Sequence, residues 1–297
     1  MGTKSNPGFP VAVLACLFSG LMLVAASCSD DNTTKPKSTK TEVIELSDSA
    51  VDFSADAGGA DPAFQVVTVS NTGPGTLSDL SVTISYGSGQ STGWLSAILT
   101  DTTAPADVTL QATTGGGALA AGTYDATVSV ASSKANNSPQ NIAVTFYVSA
   151  RYGNFDEFAA ASAHDSNVLL GSRITIPAAS TLTHLCLIAK AAGPQVKVGL
   201  YTDIGGNPGT LVAYTLATAL VAGRIEIPVS ETALPEGHYW FMAVYSAPAS
   251  VGVSTANPAA AYKYASHAFA AALPATFPSA LQQTGAEFNY YIKARVP

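Results

Sequence analysis

Leu119-Ala-Ala-Gly122-Thr-Tyr124-Asp-Ala-Thr-Val128-Ser-Val130 carries the two signals that decide the fold. Tyr124, Ala126, Val128 and Val130 alternate with Asp125, Thr127 and Ser129. That period of two belongs to a strand with one buried and one wet face. The tyrosine opens the strand just after a glycine turn. From there its hydroxyl can reach back to nearby backbone and fix a crossover, the arrangement called a tyrosine corner. Leu234-Pro-Glu-Gly237-His-Tyr239 repeats the device. Two corners predict two β-sandwiches.

The text on either side agrees. Leu80, Val82, Ile84 and Tyr86 oppose Ser81, Thr83 and Ser85, and Ile142, Val144, Phe146 and Val148 oppose Thr145, Tyr147 and Ser149. Gly, Asn and Pro fill the breaks, as in Asn71-Thr-Gly-Pro-Gly75 and Asn136-Asn-Ser-Pro139, because Gly and Asn tolerate positive φ. About eight strands are expected between 43 and 149. After a seam at Arg151-Tyr-Gly153, Phe155 to Ala163 predicts a short helical turn, and about nine strands follow from 167 to 296. Val196, Val198 and Leu200 face one side there, with Gln195, Lys197 and Tyr201 on the other; Phe288, Tyr290 and Ile292 likewise oppose Asn289, Tyr291 and Lys293. Tyr239 to Tyr245 is apolar on both faces, as a central, doubly covered strand must be. The expected fold is all-β: two tandem antiparallel sandwiches over 42–150 and 151–297, the first immunoglobulin-like and the second jelly-roll-like.

Composition removes several function classes. The 297 residues are 47% hydrophobic and only 11% charged, against a usual fraction of about 25%. That is unlike a disordered chain, which needs low hydrophobicity and high charge. The net charge is −7 and the pI about 4.9. The basic footprint of a nucleic-acid-binding protein is therefore missing, and nucleic acid is not an expected partner.

Residues 1–27 have the grammar of an export signal: Lys4 in a short leading segment, an apolar run through Leu23, then the small residues Ala25-Ala-Ser27. Val24-Ala-Ala-Ser-Cys28 resembles the lipobox of bacterial lipoproteins, with Ala25 standing where that family usually has Leu. The resemblance implies cleavage before Cys28, acylation of that residue, and a partner in the membrane through the attached lipid. Several acyl chains anchor a soluble domain stably where one is marginal. Cleavage without lipidation and an uncleaved anchor are the alternatives. Residues 29–41 contain no apolar side chain, so 28–41 reads as a lipidated cysteine on a flexible tether. Cys16 falls in the leader and Cys28 is spent on lipid. Cys186 alone remains, so core burial must hold the mature chain together.

Residues 64–149 resemble the BACON-type and related immunoglobulin-like modules of bacterial surface proteins. The shared text is Val67-Thr-Val-Ser-Asn-Thr-Gly-Pro-Gly-Thr-Leu77, Gly93-Trp-Leu95, Leu119 to Tyr124 and Ile142 to Val148. The resemblance implies a sandwich, with carbohydrate binding or a spacer role beside a functional domain. Residues 167–296 look similar to a C-terminal sandwich module of exported bacterial proteins, through Leu200 to Val212 and Gly237-His-Tyr-Trp240.

No catalytic set stands out. Gly89-Gln-Ser91-Thr-Gly93 matches G-x-S-x-G, but a nucleophile elbow needs a helix after the serine, in a parallel sheet. Here strand text follows, so it reads as a turn. His184 and Cys186 would share a strand face, giving two zinc ligands where three or four are needed; a packed imidazole beside a buried thiol is the simpler reading. Asp203 and Asn207 are weak calcium candidates, since calcium wants six to eight oxygens and this loop offers two side chains; a tight Asx-type loop is the simpler reading. No cofactor is expected. Trp94 and Trp240 lie in apolar text and read as core. The aromatic rings on otherwise polar faces are Tyr201, beside Lys197, and Tyr291, beside Asn289, so these four are the candidate ligand contacts.

The expectation is therefore a non-enzymatic, exported, membrane-anchored protein of the bacterial envelope. It would bind polysaccharide or a surface protein. A structural spacer or stalk, and a hydrolase with an unrecognised site in the C-terminal half, are the alternatives.

Overall fold

A computed structural model describes residues 41–297. The expected leader, Cys28 and the tether up to residue 40 lie outside the described residues.

The first sandwich contains β1 (Ile44–Leu46), β2 (Ala50–Asp56), β3 (Gln65–Asn71), β4 (Leu80–Tyr86), β5 (Leu95–Leu99), β6 (Ala106–Ala112), β7 (Gly122–Ser132) and β8 (Gln140–Gly153). One sheet runs β1-β3-β6-β5; the other holds β2, β8, β7 and β4. The opening strand is split. β1 pairs antiparallel with β3, while β2 crosses over and pairs parallel with β8. That is an immunoglobulin-like layout. The alternation seen in the sequence is the burial pattern. Val67, Val108 and Leu110 of one sheet, and Val128, Val130 and Ile142 of the other, are fully buried. Each such side chain contributes up to about 1.5–3 kcal/mol. The corner is formed: the Tyr124 hydroxyl donates to the Ala120 carbonyl at 2.9 Å.

The second sandwich contains β9 (Ala160–His164), β10 (Val168–Ile176), β11 (Ser180–Ala189), β12 (Gln195–Ile204), β13 (Asn207–Tyr214), β14 (Thr218–Ala219), β15 (Gly223–Leu234), β16 (Gly237–Tyr245), β17 (Ala249–Ser254), β18 (Ala261–Ser266), β19 (Leu281–Thr284), β20 (Glu287–Phe288) and β21 (Tyr290–Arg295). One sheet runs β13-β12-β16-β10-β18-β19, with β14 on β12. The facing layer holds β20, β17, β11 and β21, with β9 on β17 and β15 on β11. Several of the strands beyond the expected nine are short or polar edge pieces, too brief to show a period. The helical turn expected over 155–163 is absent. Ala160 to His164 instead pairs antiparallel with Val253 to Ala249, because tertiary pairing overrides the propensity of an alanine-rich run. Among the described residues the helical element is the 3-10 turn Gly115–Gly117. β16 is central between β12 and β10, and Tyr239 to Tyr245 is buried throughout, as expected. The second corner is also formed, Tyr239 donating to the Pro235 carbonyl at 3.1 Å.

No linker separates the two sandwiches. β8 runs through the expected seam and ends at Gly153, and its last residues pair with Tyr291 to Ala294 of β21. One sheet of ten strands thus runs through both. Lys293 braces the junction. Its Nζ lies 2.8 Å from Asp56 Oδ1 and 2.9 Å from Glu226 Oε2. The Arg295 guanidinium sits 4.3 Å over the Tyr147 ring.

Candidate functional site

The residues singled out in the sequence as ligand contacts are structural. Tyr201 and Tyr291 are fully buried. The wet face expected at Tyr201 is covered by the segment 267–280. The Tyr201 hydroxyl donates to the Pro274 carbonyl at 3.1 Å, and its ring meets Phe277 edge-on at 5.4 Å. Tyr291 packs with Cys186, Ile188 and Phe155, and its hydroxyl donates to Glu226 Oε1. Burial raises the pKa of both phenols above the ordinary value. The half-buried Lys197 donates to the carbonyls of Phe269 and Ala271 at 2.7 and 3.0 Å, fastening the covering segment. Asn289 is fully buried; its amide donates to the carbonyls of Asn154 and Asp156 and accepts from the Phe158 N–H. It shapes the stretch that enters β9. Tyr201, Tyr291 and Asn289 present no surface to ligand, and Lys197 is spent on the covering segment.

The calcium reading of Asp203 and Asn207 meets cations and donors instead. Asp203 accepts from Trp240 Nε1 at 2.7 Å, the Gly206 N–H and Arg173, and Asn207 Oδ1 accepts from Lys263 Nζ at 2.9 Å. Burial opposes ionisation of Asp203, but those donors outweigh it and hold its pKa below the usual carboxylate value. Trp94 and Trp240 are both core, 2% exposed. Cys186 is a buried thiol whose pKa burial raises. Among the described residues no cluster of three or more His, Cys, Asp or Glu is placed to hold a metal. Ser91 is exposed in the loop joining β4 to β5.

The unspent chemistry collects at one edge of the second sandwich, framed by β10, β18 and β19. Two recesses open there. The first, of about 250 Å³, lies between this edge and the end of β9, and is lined by His164, Asp165, Leu170, Tyr262, Tyr264 and Gln283. Tyr262 and Tyr264 stand with ring centroids 6.4 Å apart and remain partly exposed. The Tyr262 hydroxyl donates to Gln283 Oε1. His164 is 4% exposed and ends a buried chain: Tyr245 and Tyr290 hydroxyls at 2.9 Å, then Tyr290 Oη and His164 Nδ1 at 3.1 Å. Its Nε2 is buried without a protein partner. Burial disfavours the imidazolium and lowers the His164 pKa to about 4, so the ring is neutral at pH 7.

The second recess, of about 350 Å³, includes Ser172, Arg173, Lys263, Gln282, Glu287 and the edge of Trp240 in its wall. Lys263 is 7% exposed. Its Nζ bonds Asn207 Oδ1, and among the described residues no carboxylate oxygen lies within 4.0 Å of it. Ser172, also mostly buried, has an Oγ without a partner. The sequence held one signal for this place that went unread, the Tyr262-Lys263-Tyr264 run, which sets a lysine among aromatic strand neighbours.

No family model and no curated protein matches this chain. Solved structures that match include the secreted serine protease VesC from Vibrio cholerae, at 10% identity and TM-score 0.26, over 71% of this chain and 50% of that one. Another is a structure of CBM51-2 in complex with GlcNAc and INT domains from Clostridium perfringens ZmpB, at 10% identity and TM-score 0.18, over 70% of this chain and 47% of that one. This chain spans about half the length of each, and likeness at that level carries no argument about its activity.

Proposed function

We propose that this chain is an exported, lipid-anchored envelope protein whose second sandwich binds glycan without turning it over. The export and anchor rest on the 1–28 sequence grammar. The binding reading rests on one observation: Tyr262 and Tyr264 stand side by side at an open sandwich edge, with Gln283 and the mostly buried His164 lining the same recess. A tyrosine ring offers a flat apolar face to the C–H side of a sugar and a polar tip to its hydroxyls. Gln283 adds an amide for the sugar's hydroxyls.

Four carboxylates of the second sandwich are committed to cations or donors. Asp203 is held by Arg173 and Trp240, Glu226 by Lys293 and Tyr291, Glu231 by Arg295, and Glu157 by Lys190. Asp165 and Glu287 line separate recesses, so neither recess holds the two facing carboxylates that hydrolysis needs, which favours binding.

The test is a glycan array probed with the full chain and with Tyr264→Ala, beside mass analysis of the mature N-terminus. Saturable glycan binding that the substitution weakens about tenfold or more is the expected result, since aromatic stacking on a sugar is of that order. Absence of binding across the array would return the protein to the spacer or protein-partner alternatives. An unacylated Cys28 would remove the anchor.

A further inference from the structure

We infer that the second recess is an anion subsite that takes the carboxylate of an acidic sugar, so that the bound polymer is a uronic-acid polysaccharide; this rests on the glycan-binding reading of the same edge. Three observations carry it. Lys263 is 7% exposed with a single acceptor, Asn207 Oδ1 at 2.9 Å. An ammonium group has three donors, so two remain unspent. Arg173, on the wall of the same recess, has a side chain 41% exposed and gives only one bond, at 3.2 Å, to Asp203. Its planar fork keeps further donors for a second oxygen. The Ser172 Oγ in the same recess is buried and unpartnered.

Burying a cation without a counter-ion is costly, and buried charges are normally paired. This chain carries −7 overall, so carboxylates were plentiful, yet none stands against Lys263. The missing partner fits a carboxylate supplied by a ligand. Glu287 is the other charge lining the recess, and lies beyond 4.0 Å from both cations. It can accept from ring hydroxyls and repels a carboxylate placed near it. Gln282 adds a neutral hydrogen-bonding group. Hydroxyls together with one carboxylate are the surface of a hexuronate. The volume, about 350 Å³, falls in the usual range for small-ligand sites. Lys263 and Gln282 alternate along β18 and β19 with Tyr264 and Gln283, and successive strand residues face opposite sides of a sheet, so the cations and the rings line separate recesses.

The experiment is titration calorimetry of the full chain against polygalacturonate, alginate and hyaluronan oligosaccharides. Each is paired with its methyl ester, which keeps the sugar backbone and removes the charge. At least one free acid should bind tenfold or more tighter than its ester, and that preference should shrink as salt rises. Lys263→Met should abolish the preference while Lys263→Arg retains most of it. Glu287→Gln should leave acid binding equal or stronger. The methionine variant should also melt higher by a few degrees, because a buried unpaired charge is replaced by an apolar chain of similar size; a lysine kept for stability would give a lower melting temperature. Tyr264→Ala should weaken acid and ester alike.

Equal affinity for acid and ester, or an unchanged preference in Lys263→Met, overturns the anion subsite while leaving glycan binding standing. Failure of every acid and ester defeats the glycan reading itself. Binding of poly-glutamate in place of any sugar defeats the ligand class, replacing it with an acidic peptide.

Discussion

The two sandwiches treat buried polar groups differently. In the first, Thr114 and Ser132 are the buried polar residues, and both are satisfied: Thr114 by Gly59 and Asp61, Ser132 by the Ser78 carbonyl. The Trp94 Nε1 is the one buried side-chain donor there that lacks a partner. The second buries His164, Ser172, Ser180, Thr215, Lys263 and Asn289. Of these, His164 Nε2 and Ser172 Oγ lack partners and Lys263 has only one. Each buried polar atom left unpaired costs about 1–3 kcal/mol. The first sandwich therefore reads as scaffold, and the second as the part that gives up stability to hold chemistry in place. The two belong to one sheet, joined where β8 pairs with β21.

The sharpest way to break this comparison is Asn289→Ala. Asn289 makes three hydrogen bonds to the backbone of 154–158 from a fully buried position, and a Cβ at Gly252 would collide with it. Truncation leaves those groups unpaired and should cost about 4 kcal/mol. The readout is the urea midpoint, followed by fluorescence and by hydrogen exchange. Loss confined to the second sandwich would show that the shared sheet does not couple the two; a single cooperative loss would show that it does.

His164 supplies the next effect. Its pKa is lowered in the folded chain to about 4, from an ordinary value near 6.5. Between those values the unfolded chain holds more protons than the folded one, so stability rises with pH across that window. The contribution is complete above pH 6.5 and is lost progressively as pH falls to about 4, amounting to about 3 kcal/mol. Unfolding free energies measured from pH 7 to pH 4 should show the loss, and His164→Leu should remove that part of it. An identical pH slope in the variant would place the proton uptake elsewhere.

The corners test whether the two sandwiches are alike in the one device they share. Tyr124 and Tyr239 each bond the carbonyl four residues earlier, at 2.9 and 3.1 Å. Tyr124→Phe and Tyr239→Phe should each cost about 1 kcal/mol. Equal shifts in the denaturant midpoint would make the corners equivalent; a much larger effect at one would show which sandwich limits the stability of the whole.

The corners also mark what the sequence makes legible. A tyrosine after a glycine turn and a run of alternating residues are local, so the strands of the first sandwich, β16 and both corners could be read directly. What covers a strand is not local. Tyr201 shares its face with Lys197, which looks wet, until the segment 267–280 folds over it from far along the chain. Tyr291 is hidden in the same way by Phe155 and Glu226. Ala160 to His164 looks helical by composition because its pairing with β17 lies about ninety residues away in sequence. The edge site was legible only as a lysine between two tyrosines, and its neighbours His164, Arg173 and Gln283 come from three separate segments. A single strand's pattern states which residues share a face, and only the assembled sheets state whether that face is open.

The smallest effect belongs to Ser91, the residue most easily mistaken for a nucleophile. It is exposed in the connection from β4 to β5, between Gly89 at φ +75° and Gly93 at φ +80°. A strand follows at Leu95, where an elbow would need a helix. The described histidines all belong to the second sandwich, from His164 onward, so a base for this serine would have to come from there. Ser91→Ala should therefore shift stability by less than about 0.5 kcal/mol and leave turnover of an ester panel unchanged. By contrast, Gly93→Ala should destabilise the same turn measurably, since its positive φ disfavours any residue with a Cβ. The pair separates a glycine needed for chain direction from a serine that merely sits between two of them. A drop in esterase turnover with Ser91→Ala at unchanged stability would reverse the assignment and move catalysis into the sandwich read here as scaffold.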